Sequence, residues 1–533
     1  MYITKSDYIL WRECPHNVWI KKHRPEAYNT SPLSEFEMHL IESGNQVEEL
    51  ARKRFPEGVL IETRGEASLQ QTTELINAGT STIFQASFSD GTLFAAVDIL
   101  KFNEDQTINL YEVKASNSKK QGEFENDDNE DGDIVVDFTD EKAVEKYRKQ
   151  ILKDHHLYDL AFQVYLARKV GQTVNKAFLV RLNKNYVRAN ELDISQLFVI
   201  EDITEFVDEV LPIVAEEVEQ LITLIGRSEE PSGPCCCIYK GRSKHCTTFK
   251  HHNTKILGDS LEYSVHDLTR VGQSKAKLEK LIDEKIFDIL DVPDDHDFGP
   301  KITKQIEVHK KGFADIDHEA IRTELSSLQF PLYFLDYEAF NPAIPRFRGF
   351  RPYQQIPFEF SLHRLDSPDG ELIHSEFLYT DSEDPSRLLV EDLQKNIGTS
   401  GTVLVWYKPF EESHINKNLA VRLPEYKEFI FGVNGRLFDL MTIFSKHLHV
   451  HPDFHGSASI KKVLPVLCPE LSYAELEIGN GSEAMNTWNK LVTDIASGNI
   501  TPTERAKIEQ DMRTYCALDT YAMYAIWKHL NDL

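Results

Sequence analysis

Three residues early in the chain have the types and spacing of a metal-assisted hydrolytic site. Asp98 lies in FAAVDILKF, and Glu112 and Lys114 lie in INLYEVKAS. Both stretches read as strands, and residues two apart on a strand share a face, so Glu112 and Lys114 project together. The polar NEDQT between them predicts a hairpin that brings Asp98 onto the same sheet face. Two carboxylates so placed bind Mg²⁺ or Mn²⁺ through hard oxygens. A lysine beside them orients or helps deprotonate a water. The competing reading is a surface hairpin whose Glu and Lys form a weak ion pair.

A second acidic set lies near the C-terminus. In FPLYFLDYEAF an apolar strand leads into Asp336 and Glu338, again two apart on one face. Tyr515 and Asp519, in YCALD, stand one helical turn apart and can face one cleft. Between them TVLVWYKPFEESHI reads as a strand entering a helix near Pro409, and offers Glu411 and Glu412. Asp439, in RLFDLMTIF, reads as a structural residue or helix cap. GSASIKKVLPVL offers Ser459, Lys461 and Lys462 to a nucleic-acid backbone, or is simply an amphipathic helix. Phe340, Phe347 and Tyr353 are candidates for stacking on bases or for the core. The bland alternative for the whole set is an α/β domain with an acidic strand end.

The thiols are crowded. GPCCCIYKGRSKHC, from Gly233 to Cys246, holds four of the chain's seven cysteines. A disulfide staple, a zinc knuckle and an iron–sulfur cluster are the chemical options. Thiolates suit zinc and iron–sulfur alike, and zinc could also recruit His245 or a His of FKHHN. Lys240, Arg242 and Lys244 in the same loop either touch phosphate or solvate the loop. Cys468 and Cys516 read as buried small residues.

The elements that must position these groups are of α/β type, strands interleaved with helices in two large regions. The 533 residues exceed one ordinary core. Three regions are expected: 1–253, a charged helical connector at 254–327 containing SKAKLEKLIDEKIFDILDVP, and 328–533. The N-terminus lacks a signal-peptide pattern, and no apolar run nears the ~20 residues of a membrane span. A cytoplasmic location without a membrane partner follows as an expectation, and it disfavours the disulfide staple. The net charge of −27, from 59 basic and 86 acidic residues, disfavours nucleic-acid binding taken alone. The acid is uneven, however. Glu123 to Glu141 carries ten carboxylates and no Lys or Arg, and reads as a solvated loop.

The order Asp98, then Glu112-Val113-Lys114, resembles the RecB-like branch of the PD-(D/E)XK nucleases. The resemblance implies a metal site at Asp98 and Glu112. It also implies an acid on an upstream helix, matched by Glu48 in GNQVEELARKRFP, and a later helical Gln near a Tyr, matched by Gln163 and Tyr165. Some relatives, including CRISPR-associated exonucleases, hold a 4Fe–4S cluster with one cysteine before the nuclease core and three after it. Carried over here, the ligands are Cys14, Cys235, Cys237 and Cys246, with Cys236 pointing away in an extended segment. Relatives more often show two residues between the second and third cysteines, which keeps zinc as the alternative.

Asp336-Tyr-Glu338 and Tyr515-x-x-x-Asp519 resemble the first and third motifs of the DnaQ-like DEDD exonucleases, of RNase H fold. The second motif, ordinarily N-x-x-F-D, is represented by Tyr407-Lys-Pro-Phe410-Glu411. The resemblance implies two divalent ions held by Asp336, Glu338, Glu411 and Asp519, with Tyr515 orienting water. Nearly the whole chain resembles an uncharacterised bacterial family combining the two nuclease types. The implied activity is metal-dependent hydrolysis of DNA, at single strands or ends, in repair, recombination or defence, with a helicase as a possible partner. A non-catalytic nucleic-acid-binding scaffold and an RNA exonuclease acting through the DEDD domain are the alternatives.

Overall fold

The computed structural model describes residues 2–28, 33–118, 141–258, 262–273 and 275–533. The acidic run 123–141 therefore lies almost wholly outside the described residues. The chain forms two compact units. The first comprises Met1–Cys237, Cys246–Asn253 and Pro342–Tyr353, and the second Ile238–His245, Thr254–Asn341 and Gln354–Leu533.

The first unit is built on one mixed sheet. Its strands are β1 (Ile3–Thr4), β2 (Val59–Leu60), β3 (Thr82–Ser89), β4 (Leu93–Phe102), β5 (Ile108–Asn117), β6 (Val174–Leu182) and β7 (Phe198–Asp202). The order is β2-β3-β4-β5-β6-β7, with β1 paired to β4. β4 and β5 are antiparallel and β5 and β6 parallel. β5 is apolar on both faces because both are covered. Ile108 and Leu110 pack with Leu160, Phe162 and Val164 of the helix His155–Lys169. Tyr111 and Val113 face Val47 and Ala51 of the helix Glu35–Arg52. By period-two alternation, Glu112 and Lys114 join the first of these faces.

In the second unit β9 (Leu332–Phe340), β10 (Ile356–Leu365), β11 (Leu372–Leu378), β12 (Thr402–Val405) and β13 (Leu437–Asp439) form a mixed sheet, after the short β8 (Asp315–Ile316). Its order is β11-β10-β9-β12-β13, so β9 is central. β9 runs antiparallel to β10 and parallel to β12. Leu332 and Phe334 pack with Met523, Ile526 and Trp527 of the helix Pro502–Asn531. The intervening Tyr333, Leu335 and Tyr337 join Leu389 and Leu393 on the other side. Asp336 and Glu338 thus look toward the helix that carries Asp519.

The stretch 254–327 falls in the second unit rather than standing alone. Ile302 and Ile306 of the helix Pro300–Lys311 are buried. β8 pairs with β14 (His449–Val450). Within SKAKLEKLIDEKIFDILDVP the α-helix spans Lys275–Asp283, and Lys285 follows it with φ 60°. No described helix is long and apolar enough to cross a membrane.

Candidate metal and active sites

In the first unit the predicted triad converges. Beyond the Ile99–Tyr111 pair, β4 and β5 are no longer bridged, and Asp98 fills the gap by accepting the Val113 amide at 2.9 Å. The β3–β4 ladder pairs Phe84 with Ile99 and Ala86 with Val97 but skips Gln85 and Asp98. There Gln85 takes the left-handed region, φ 58°, an unusual backbone of the kind that gathers at functional sites. Its amide donates to Glu48 at 2.7 Å and Asp98 at 3.3 Å, linking the two acids. Glu112 is almost fully buried and accepts from Lys114 at 2.6 Å and Gln163 at 2.7 Å.

Two partners escaped the sequence reading. Asp159, one helical turn before Gln163, holds Lys114 at 2.6 Å. Lys5 donates to both oxygens of Glu112, at 2.9 and 3.0 Å. Asp159 was findable from the i, i+4 spacing to Gln163. Nothing local marks Lys5. Tyr165, two residues from Gln163, turns to the other side of its helix, where Lys169 lies 5.7 Å from its ring.

Burial and Glu112 push the Asp98 carboxyl up to about 7. Burial would lift Glu112 too, but Lys114 and Lys5 hold it well below the usual carboxylate range. Burial opposes the charge on Lys114, and Glu112 and Asp159 nevertheless keep it above its ordinary value. Lys114 is therefore an ammonium donor in this arrangement rather than a proton acceptor. A groove of about 550 Å³ is lined in part by Glu48, Arg52, Arg64 and Gln85.

The cysteines of the first unit also meet. The sulfurs of Cys14, Cys235, Cys237 and Cys246 all lie within 4.8 Å of one another, so the group could hold a metal ion. Among the described residues no disulfide forms. Cys14 caps the helix Lys5–Glu13 and begins the next, Pro15–His23. Cys236 is exposed, its Sγ 3.5 Å from the Glu13 carbonyl. It leaves the cluster through a tight 3₁₀ turn, Cys236–Tyr239, rather than the expected extended segment. Hydrogen bonds from Cys14 and the other thiols pull Cys237 well below the ordinary thiol range. Among the described residues no histidine joins the four. His245 bonds the Lys240 carbonyl at 3.0 Å, and His251 and His252 group with Glu230. Arg242 is taken by Asp267.

In the second unit Asp336, Glu338 and Asp519 bring carboxylate oxygens within 4.8 Å of one another. Burial and mutual repulsion raise Asp336 and Glu338 well above the usual range, and burial lifts Asp519 to about 6. Tyr473 donates to Asp519 at 2.6 Å, and Tyr473 and Tyr515 both lower its carboxyl. Lys461 lies over both tyrosine rings, 5.6 Å from Tyr473 and 5.5 Å from Tyr515. It donates to the Gly479 carbonyl at 2.7 Å.

Glu411 stands outside the three-acid group. It lies on a π-helical turn, Phe410–Asn416, buried, with one oxygen unpartnered. Burial and Asp336 raise its carboxyl. Tyr407 before it has φ 80° and is 51% exposed. Asp439 accepts the amides of Tyr407, Lys408 and Met441, a structural role. Cys516 is buried, as expected, and its sulfur lies 4.0 Å from Asp336. Phe340 is buried against Trp488, Phe347 packs on Phe350, and Tyr353 bonds the Ala115 carbonyl.

Residues 333–459 match the family described as Domain of unknown function (DUF2779). That span holds Asp336, Glu338 and Glu411 but stops before Tyr515 and Asp519. Over 214 residues the chain is 27% identical to Uncharacterized protein UU173 of Ureaplasma parvum serovar 3, which covers 36% of this chain and 30% of that relative. No solved structure matches the chain.

A further acid of the second unit went unnoticed in the sequence. Glu359 on β10 is the cross-strand partner of Glu338. It is 1% exposed, with one oxygen unpartnered. Burial raises its carboxyl well above the usual range.

Proposed function

We propose that the protein is a divalent-metal-dependent nuclease that hydrolyses DNA at single strands or ends. The observation that carries this is the gathering of Asp336, half-buried, with Glu338 and Asp519, both buried, within 4.8 Å of one another where a central strand faces a helix. Buried carboxylates repel and are costly unless a cation joins them. Lys461 is the nearby cation that lowers all three, and one positive charge does not balance them.

In the second unit Asp336, Glu338 and Asp519 would hold Mg²⁺ or Mn²⁺, with Glu359 and Glu411 within electrostatic reach. In the first, Asp98 and Glu112 would do so, with Glu48 tied in through Gln85. A bound ion supplies an activated water and neutralises charge on the phosphate. The chain's own residues do the rest. Lys114 donates toward the attacking water or a phosphate oxygen. Asp159 and Gln163 fix Lys114 and Glu112. Tyr473 orients Asp519, Tyr515 would orient the water, and Arg52 and Arg64 line a groove where a phosphodiester backbone would find positive charge. The RecB-like assignment of the first unit and the DnaQ-like assignment of the second belong to this proposal. They are supported by the hairpin carrying Asp98, Glu112 and Lys114, and by the central D-x-E strand facing the Y-x-x-x-D helix.

The cysteine group is proposed as a clasp tying the first helices to the segment after the nuclease core. The family resemblance assigns it a 4Fe–4S cluster. The sulfur spacing favours a single ion instead, since tetrahedral Zn–S bonds of about 2.3 Å put sulfurs about 3.8 Å apart. Cys235 and Cys246 stand at 3.9 Å. Anaerobic purification with iron, sulfide and zinc analysis separates the two.

The test of function is end-labelled single-stranded DNA with Mn²⁺. Metal-dependent cleavage is expected to fall in Lys114→Ala and in Asp336→Ala and to be abolished when both are combined. Metal-independent binding without cleavage would leave a scaffold, and a strong demand for ribose would make the substrate RNA.

A further inference from the structure

The first acidic site already contains a cation. The Lys5 ammonium lies 2.9 and 3.0 Å from the two oxygens of Glu112 and 3.7 Å from Asp98. Its partners are the two carboxylates assigned above to the metal. Lys114 differs, because Asp159 gives it an anchor of its own at 2.6 Å. Lys5 is also oddly placed. It is the first residue of the helix Lys5–Glu13, after the Thr4 cap, and a positive charge there opposes the helix dipole. Attraction to the acids keeps it in place. Its side chain remains 21% exposed, which leaves the long stem a way out to water.

We propose that Lys5 is a built-in counter-ion, occupying the metal position between Glu112 and Asp98 and swinging outward when a divalent ion enters. A Mn²⁺ or Mg²⁺ ion binding oxygen at about 2.0–2.2 Å between both carboxylates would meet Lys5, 2.9–3.0 Å from the two Glu112 oxygens and 3.7 Å from Asp98, with strong like-charge repulsion, whereas Lys114 touches one Glu112 oxygen and is held by Asp159. Lys5 thus neutralises the desolvated acids until metal arrives, and sets a threshold against weakly held ions. The same nine-residue helix ends against Cys14, one of the four clasp thiols, so the clasp fixes the base from which Lys5 swings. The proposal rests on Asp98 and Glu112 being metal ligands.

The experiment uses the full chain carrying Asp336→Asn, which removes the second site's ion. Mn²⁺ titration followed by electron paramagnetic resonance should show about tenfold tighter binding in Lys5→Met. Lys21→Met, which removes a partner of Asp7, should leave it unchanged. In the chain with Lys5 intact, Mn²⁺ should raise acetylation of Lys5 by a water-soluble ester, read by peptide mass spectrometry, while Lys114 stays protected. Unchanged or weaker Mn²⁺ binding in Lys5→Met, or Lys5 no more reactive with Mn²⁺ than without it, overturns the proposal. Mn²⁺ binding that survives Glu112→Gln overturns the site assignment itself.

Discussion

Glu359 shows what a local pattern hides. PFEFSLHRL alternates Phe358, Phe360 and Leu362 with Glu359, Ser361 and His363. Such alternation reads as a strand with one apolar and one watered face. The polar face is in fact covered by a helix more than a hundred residues later, whose Thr520 bonds Ser361 at 2.7 Å and His363 at 2.8 Å. Asp336, Glu338 and Asp519 were legible because D-x-E and Y-x-x-x-D are short-range spacings. Glu359 and Lys5 act across long sequence separations that no local spacing records. Glu359→Gln has two opposed consequences. It removes a buried, incompletely partnered acid, so the metal-free second unit should become more stable. It also removes a carboxylate opposite Glu338, so Mn²⁺ retention should weaken by about 10- to 100-fold. Thermal unfolding in chelator and Mn²⁺ titration check the two arms. Glu412→Gln, on a half-buried acid paired with Lys417, should do neither.

At the scale of elements, the strands were readable from alternation and the long C-terminal helix from its period. The turn bearing Glu411 was not. Local propensity after Pro409 indicates an ordinary helix, whereas the chain winds as a π-turn over Phe410–Asn416. Such turns arise from tertiary fit and often sit at functional sites. The helix Gly481–Ser497 positions the other rim. Its Trp488 is fully buried, stacks on Phe358 at 4.5 Å and bonds the Tyr379 carbonyl at 2.6 Å. A Cβ on its first residue, Gly481, would lie 3.6 Å from a Glu338 oxygen. Trp488→Ala leaves a large cavity and should cost about 3–5 kcal/mol. Denaturant unfolding of the second unit should show that loss. Mn²⁺ binding that depends on Glu112 should persist, since Trp488 belongs to the other unit.

For the whole molecule, charge is the property that composition states most plainly and explains least. The −27 total says nothing of which acids are buried, and the assignment of 342–353 to the first unit follows from packing rather than composition. The buried acids give the protein a definite pH response. Asp519 is lifted to about 6 and Asp98 to about 7, chiefly by burial, whereas an unfolded aspartate titrates near 3.9. Between those limits the folded chain binds more protons than the unfolded one. Stability of the metal-free protein should therefore be fullest below about pH 4 on this account, and fall as pH rises through about 6–7. Surface repulsion among the excess acids has the same sign, but salt screens it. The part due to the buried sites should survive 0.5 M NaCl. Mn²⁺ competes with protons for the same oxygens, so its stabilising shift should be larger at pH 8 than at pH 5. Thermal unfolding at four pH values, with chelator or Mn²⁺ in high salt, tests both statements. A metal-free protein most stable at pH 8, or a Mn²⁺ shift independent of pH, would mean that these carboxylates are neither raised nor joined by the ion.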